Sequence, residues 1–170
     1  MGLNIRPAVP GDAGLVLSLV RELAQYENLA DKVDATDAMI AEALFAPGST
    51  QRCDIAEWDG EVAGQAIWFT NFSTFRGRNG LYLEDLYVRP AFRGRGVGKA
   101  LLARLARECR AQNWPRMEWV VLDWNQPAID FYRSLGAELA EDWRLVRLDG
   151  AALARLAEQA GFPATPAALT

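Results

Sequence analysis

LYLEDLYVRPAFRGRGVGKALLARLA, residues 81–106, reads as an apolar strand that runs through a short arginine-rich loop with three glycines into an amphipathic helix. Glycines at 94, 96 and 98 remove the Cβ atoms that would keep a ligand off the backbone, and leave N–H groups facing the mouth of the helix. The helix adds roughly half a positive charge at that end. Arg93, Arg95 and Lys99 bring full cationic charge to the same opening, and an arginine grips a phosphate in bidentate fashion. The guest this turn suits is a di- or polyphosphate.

Spacing excludes the two commonest phosphate turns. A dinucleotide turn needs GxGxxG, but counting from Gly94 and Gly96 the third glycine position is Lys99, and from Gly96 and Gly98 it is Leu101. A P-loop needs GxxxxGK[ST]; Gly98–Lys99 supplies the GK pair, yet position 93 is Arg and Ala100 has no hydroxyl for magnesium.

The 170 residues suffice for one domain with a true core. With 51% apolar and 24% charged residues the composition is that of a globular chain. No apolar run approaches the roughly 20 residues needed to cross a bilayer, and residues 1–10 lack the apolar stretch of a signal peptide. Two cysteines, Cys53 and Cys109, form no metal-ligand or disulfide spacing, so no metal site is expected and a reducing, cytoplasmic setting fits. A net charge of −4 argues against a general nucleic-acid surface, which makes the cations at 93–99 a local exception. The chain has no histidine, which excludes Ser-His-Asp and Cys-His nucleophilic machinery and every His-ligated metal site. Acid–base chemistry falls to carboxylates, Tyr, Lys, Cys or water.

Working outward, 5–8 reads as a first strand, and Gly11–Asp12 as the cap of a helix with Leu15, Leu19, Val20 and Leu23 at helical spacing. Thr36 is the expected N-cap of a second helix ending before Pro47–Gly48. Strands at 53–58 and 62–72 flank Asp59–Gly60, a strong hairpin signal. A polar loop, 73–80, leads to the strand at 81–88, which Pro90 ends. After the helix at 96–112, 117–122 reads as a buried strand, Asn125 and Pro127 open a helix that stops at Gly136, 139–148 gives one or two last strands, and 151–160 a last helix. The order β, α, α, β, β, β, α, β, α, β describes a mixed α/β sheet. Residues 1–160 are expected to form a single domain and 161–170 a loose C-terminal tail.

Residues 93–98, R-G-R-G-V-G, match [RQ]xxGx[GA], and WVVLDWNQPAIDFYRSLGAE, 119–138, supplies a second ordered block. Together they resemble the GNAT superfamily of N-acetyltransferases. LEDLYV, WNQPAIDFY, WRLVRL, IRPA and ELAQYE are similar to the spermidine/spermine (diamine) and thialysine acetyltransferase branch over nearly the whole chain. The resemblance implies the GNAT fold, with about six to seven strands in a mixed sheet and about four to five helices around it. It also implies transfer of the acetyl group of acetyl-CoA to a primary amine by direct attack, without a covalent enzyme intermediate. The glycine loop, Arg93, Gly94, Arg95, Gly96, Val97, Gly98 and Lys99, would then hold the CoA pyrophosphate.

In the family pattern Tyr132 matches the general acid toward the CoA sulfur, and Asn125 a CoA contact as well as a helix cap. Leu86, Tyr87 and Val88 would offer backbone groups to the pantetheine arm as a strand adds to a sheet. Glu84 matches the acid that accepts or relays the amine's proton. Period-two alternation sends Glu84 and Asp85 to opposite faces, and for Asp85 a substrate-side and a structural role both stand. Tyr26 and Glu27 match residues lining the polyamine end of the site; with Asp31, Asp34, Glu84 and Asp85 they would make an acidic mouth that attracts a cationic amine. The loop 71–80 departs from the polyamine enzymes by its length and by Arg76 and Arg78, which would repel a polycation or receive the carboxylate of a lysine analogue. A homodimer joined through C-terminal strands is the family expectation. Two alternatives remain at this stage: a protein or peptide N-acetyltransferase, and an idle module that binds CoA without turnover.

Overall fold

A computed structural model of the chain describes residues 2–159, so the loose tail expected at 161–170 lies outside the described residues. The chain divides into two compact units, one ending at Val120 and the other beginning at Val121.

The first unit contains β1 (Leu3–Pro7), α1 (Ala13–Tyr26), α2 (Asp37–Phe45), β2 (Arg52–Trp58), β3 (Glu61–Ser73), β4 (Arg78–Val88), α3 (Val97–Ala111) and β5 (Met117–Glu118). Its sheet has the order β1-β2-β3-β4-β5; the first four strands are antiparallel neighbours and β5 lies parallel to β4. The β2–β3 hairpin turns where the sequence places it. Asp59 (φ 53°) and Gly60 (φ 87°) both take positive φ, which the right-handed twist of a two-residue hairpin demands.

Register assigns the two faces. Cys53 pairs with Ile67 and Ile55 with Gln65, so these side chains share a face, and that face meets Val16 of α1 and Leu44 of α2. On the other face the buried Asp54 accepts from the Trp68 indole at 2.9 Å and lies 3.8 Å from Arg104 of α3. The core thus sits in two layers around one sheet, with Leu17 and Leu19 from α1 and Leu101 and Leu105 from α3 wholly buried.

Thr36 caps α2 as its side-chain chemistry predicts, accepting from the Met39 amide at 3.3 Å. Asp12 does not cap α1. Its carboxylate is taken by Arg6 at 2.6 Å and by the Val9 amide at 2.8 Å, a charge-assisted pair that outcompetes a cap.

The second unit contains α4 (Gln126–Ser134) and α5 (Gly150–Gln159). Here two expected strands change. The strand at 117–122 shrinks to the two residues of β5, and 139–148 is no strand among the described residues, so the sheet has five strands where six to seven were expected. The physical reason is local: W-R-L-V-R-L, 143–148, is rich in apolar and β-prone residues, but Trp143 (78% exposed) and Val146 (88%) stand in solvent. A strand exists only where another edge takes its backbone groups.

Candidate active site

The glycine loop lies between the end of β4 and α3. Gly94 (φ 74°) and Gly96 (φ 81°) take left-handed conformations, and a Cβ at either would meet no atom within 4 Å. The backbone therefore borders open space at the positive end of a 15-residue helix that begins at Val97, which is the environment an anionic diphosphate requires. Around it the cations are ordered by aromatic faces. The Arg95 guanidinium sits 5.6 Å from the Trp58 ring and 5.7 Å from Phe92, while Arg93 sits 4.7 Å from the Tyr26 ring and 5.9 Å from Tyr87. Lys99 and Gly98 lie in the first turn of α3.

β5 pairs with β4 only at Leu81 and Tyr82. Beyond Tyr82 that edge of β4 has no further β5 partner. The Arg89 amide donates to the Ala63 carbonyl at 2.9 Å, so by antiparallel alternation Tyr87 turns its amide and carbonyl toward β3, whereas Leu86 and Val88 turn theirs to the free edge. Of the three residues expected to offer backbone groups, Leu86 and Val88 have theirs on this edge, where the Val88 carbonyl accepts from Arg93 Nε at 2.9 Å. Tyr87 contributes a buried side chain on the α1 face instead.

The acidic pair is reorganised by a β-bulge. Ile67 pairs with Asp85 and Trp68 with Leu83, leaving Glu84 as the extra residue. Strict alternation therefore fails at Glu84 and Asp85. Leu81 and Leu83 share the α3 face with Thr70 and Trp68, while Asp85 and Tyr87 share the α1 face with Ile67 and Gln65. Glu84 is exposed and Asp85 half-buried. Burial first, then the negative charges of Glu84 and Glu27, push the Asp85 carboxyl up to about 6. Burial also raises the Glu27 carboxyl. Glu27 and Tyr26 end α1 on this side, so the structure gathers Tyr26, Glu27, Glu84 and Asp85 beside the glycine loop.

Arg76 and Arg78 are not part of that gathering. Arg78 opens β4 seven residues before Asp85, roughly 23 Å along an extended strand. That is several times the reach of a lysine side chain, so these arginines do not receive the carboxylate of an amine held at Asp85 in the same chain.

Two residues that the sequence reading overlooked tie this site together. Glu22, one helical turn before Tyr26, takes Arg89 through Nε at 3.0 Å and Nη2 at 2.7 Å, and Arg89 Nη1 donates to the Val62 carbonyl at 3.1 Å. The 22, 26, 27 spacing on α1 was a readable signal; its partner 67 residues away was not.

In the second unit, Asn125 caps α4, its side chain accepting from the Ala128 amide at 3.4 Å. Tyr132 lies in the last turns of that helix, its ring 5.3 Å from Phe131, with Ile129 buried nearby. Among the described residues no cluster of ligand side chains suits a metal ion, and no helix is long and apolar enough to cross a membrane.

Comparison with known proteins shows the family. The acetyltransferase (GNAT) family model matches residues 18–137. The thialysine N-epsilon-acetyltransferase of Bos taurus is 37% identical over 172 aligned positions, covering 90% of this chain and 96% of the bovine protein. The L-ornithine N5-acetyltransferase of Arabidopsis thaliana is 29% identical, covering 88% and 86%. Among solved structures, an integron cassette protein from the mobile metagenome of V. cholerae superposes with a TM-score of 0.77 at 28% identity, covering 93% of this chain and 99% of that one. GNAT acetyltransferases use acetyl-CoA as co-substrate, the compound that the open glycine cradle and the free β4 edge suit. By family match, by relatives aligned over nearly their full length and by fold, this chain belongs to the acetyltransferase (GNAT) family and is an N-acetyltransferase.

Proposed function

We propose that the enzyme transfers the acetyl group of acetyl-CoA to a primary amine of a small cationic substrate, a diamine, polyamine or lysine analogue. The observation that carries this reading is Asp85: a carboxyl held near pH 6, beside Glu27 and Glu84, within one strand of the diphosphate cradle. Negative charge at this point attracts an ammonium, and a carboxylate whose proton affinity is raised can take the ammonium's proton. Lysine-like acceptors are favoured among the three, because two relatives are named for thialysine and L-ornithine, amino acids that carry a side-chain amine.

Acetyl-CoA supplies the acetyl group as a thioester. The cradle of 93–99 holds its diphosphate, with Gly94 and Gly96 giving access to the backbone and Arg93, Arg95 and Lys99 giving charge. Leu86 and Val88 pair with the pantetheine amides along the free edge. Asp85 accepts the proton from the ammonium, and the exposed bulge residue Glu84 relays it to solvent. The amine then attacks directly, the Tyr132 hydroxyl gives a proton to the departing sulfur, and the proton shed by the nitrogen as it becomes an amide restores the hydroxyl through solvent. Asn125 adds a CoA contact while capping α4.

Both units act as one domain in this reading. What supports it is that the family match runs from 18 to 137, across the boundary at Val120 and Val121. A homodimer is also part of it: the strand-like 143–148 segment carries exposed Trp143, Leu145 and Val146, side chains that a second copy's edge would cover. The cytoplasm, where acetyl-CoA is available, is the setting it requires.

The test is CoA release by purified enzyme with acetyl-CoA and, in turn, thialysine, L-ornithine, a diamine and spermidine. Turnover with one or more supports the assignment. Acetyl-CoA binding with no release from any of them, but release with a peptide panel, would transfer the reading to protein acetylation.

A further inference from the structure

The Val88 carbonyl on the free edge of β4 already has a partner. Arg93 Nε donates to it at 2.9 Å, and the same guanidinium lies 4.7 Å from the centre of the Tyr26 ring. One turn earlier on the same helix, Glu22 is tied to Arg89 at the strand's end by hydrogen bonds from Nε and Nη2. One arginine thus links the helix end at Tyr26 to the strand end at Val88.

Each of these contacts conflicts with a bound donor. An extended pantetheine arm pairing along β4 asks for the Val88 carbonyl, and a diphosphate at the glycine cradle asks for the Arg93 charge. While Nε faces Val88 and the guanidinium lies on Tyr26, one lone pair of that carbonyl and one N–H of the arginine are already committed, and the charge is held against the ring. We propose that Arg93 is a displaceable latch on the donor groove, and that Tyr26, through the stacking that holds it shut, is a positioning residue for the donor as well as a neighbour of the acceptor acids. The inference rests on the reading of 93–99 as a CoA site.

The alternative role for the stack is opposite in sign. A ring that pre-orients Arg93 for phosphate strengthens donor binding, whereas a ring that holds Arg93 away weakens it. Titration calorimetry of free CoA into wild type, Tyr26→Leu and Tyr26→Phe separates them. With the latch, Tyr26→Leu binds CoA about two- to fivefold more tightly, the factor that loss of one exposed cation–π contact from the free state gives. Tyr26→Phe keeps the ring face and stays within about twofold of wild type. Tyr26 ends its helix and is 37% exposed, so the variants should fold; Tyr26→Gln, which also lacks a ring, repeats the test if Tyr26→Leu melts early. Unchanged or weaker CoA binding by the ringless variants overturns the latch alone. A wild type that binds no CoA overturns both the latch and the functional reading beneath it.

Discussion

At the scale of single residues, the chemistry rests on groups whose environments differ sharply. Asp85 has its carboxyl raised from 3.8 to about 6, by burial and by two acidic neighbours. As a proton acceptor it works only when ionised, so kcat/KM should climb as pH rises through about 6 and level off above it. Asp85→Asn should remove that limb and lower kcat/KM by roughly ten- to ten-thousand-fold; a variant whose profile still bends near the same pH would deny Asp85 the role. The linkage to stability has the opposite slope. Because the fold favours the protonated carboxyl, the contribution of Asp85 is complete below its ordinary 3.8 and is lost as pH rises through about 6. The enzyme should thus gain activity over the interval in which this one group costs it stability. On the acid side of the reaction, Tyr132→Phe should lower turnover by roughly ten- to ten-thousand-fold with little change in acetyl-CoA affinity. Full turnover in that variant would place the sulfur's proton elsewhere.

At the scale of elements, the decisive object is the β3–β4 pair. The bulge at Glu84 transfers Asp85 and Tyr87 to the α1 face while Leu81 and Leu83 stay buried against α3. One inserted residue thereby converts a core strand into a site-lining strand halfway along its length. Gly64 sets how closely the two strands approach there: it pairs with Val88, and a Cβ on it would run into the Tyr87 carbonyl oxygen. Gly64→Ala should cost about 1–3 kcal/mol, the range for overfilling a packed position, because backbone must move to make room. It should also raise the KM for acetyl-CoA, since the edge that carries Leu86 and Val88 moves with it. Thermal unfolding and initial-rate kinetics on one preparation would check both; an unchanged melting temperature would mean the strands separate freely.

At the scale of the whole molecule, the open question is what covers 143–148. Trp143, Leu145 and Val146 are interspersed with Arg144 and Arg147 in an exposed segment that has strand composition and, among the described residues, no strand partner. Replacing Val146 by Asp puts a charge where a second copy's edge would close. Sedimentation should then give a monomer for Val146→Asp and a dimer for wild type. A wild-type monomer, or a Val146→Asp dimer, would remove this segment from any self-association.

Some of this protein is written locally and some is not. The Asp59–Gly60 turn and the Thr36 and Asn125 caps were legible because each is settled within about four residues by sterics or by one side-chain oxygen. The order of elements followed from the same short-range signals, and with the 93–98 and 119–138 blocks it was enough to mark the family. Asp12 was misread as a cap because Arg6, on another element, claimed its carboxylate. The strand expected at 139–148 is absent among the described residues because apolar, β-prone composition does not report whether a neighbouring edge exists. The sequence alone therefore marked a phosphate guest, because a phosphate turn is a local backbone shape with charges in a fixed order, and the resemblance of the 93–98 and 119–138 blocks pointed from it to CoA. Tertiary structure decided which acid faces α1, which backbone groups remain free on β4, and that Arg93 rests on Tyr26. Those depend on register and on pairs up to 67 residues apart, and strand register is set by the partner strand, not by the residues that adopt it.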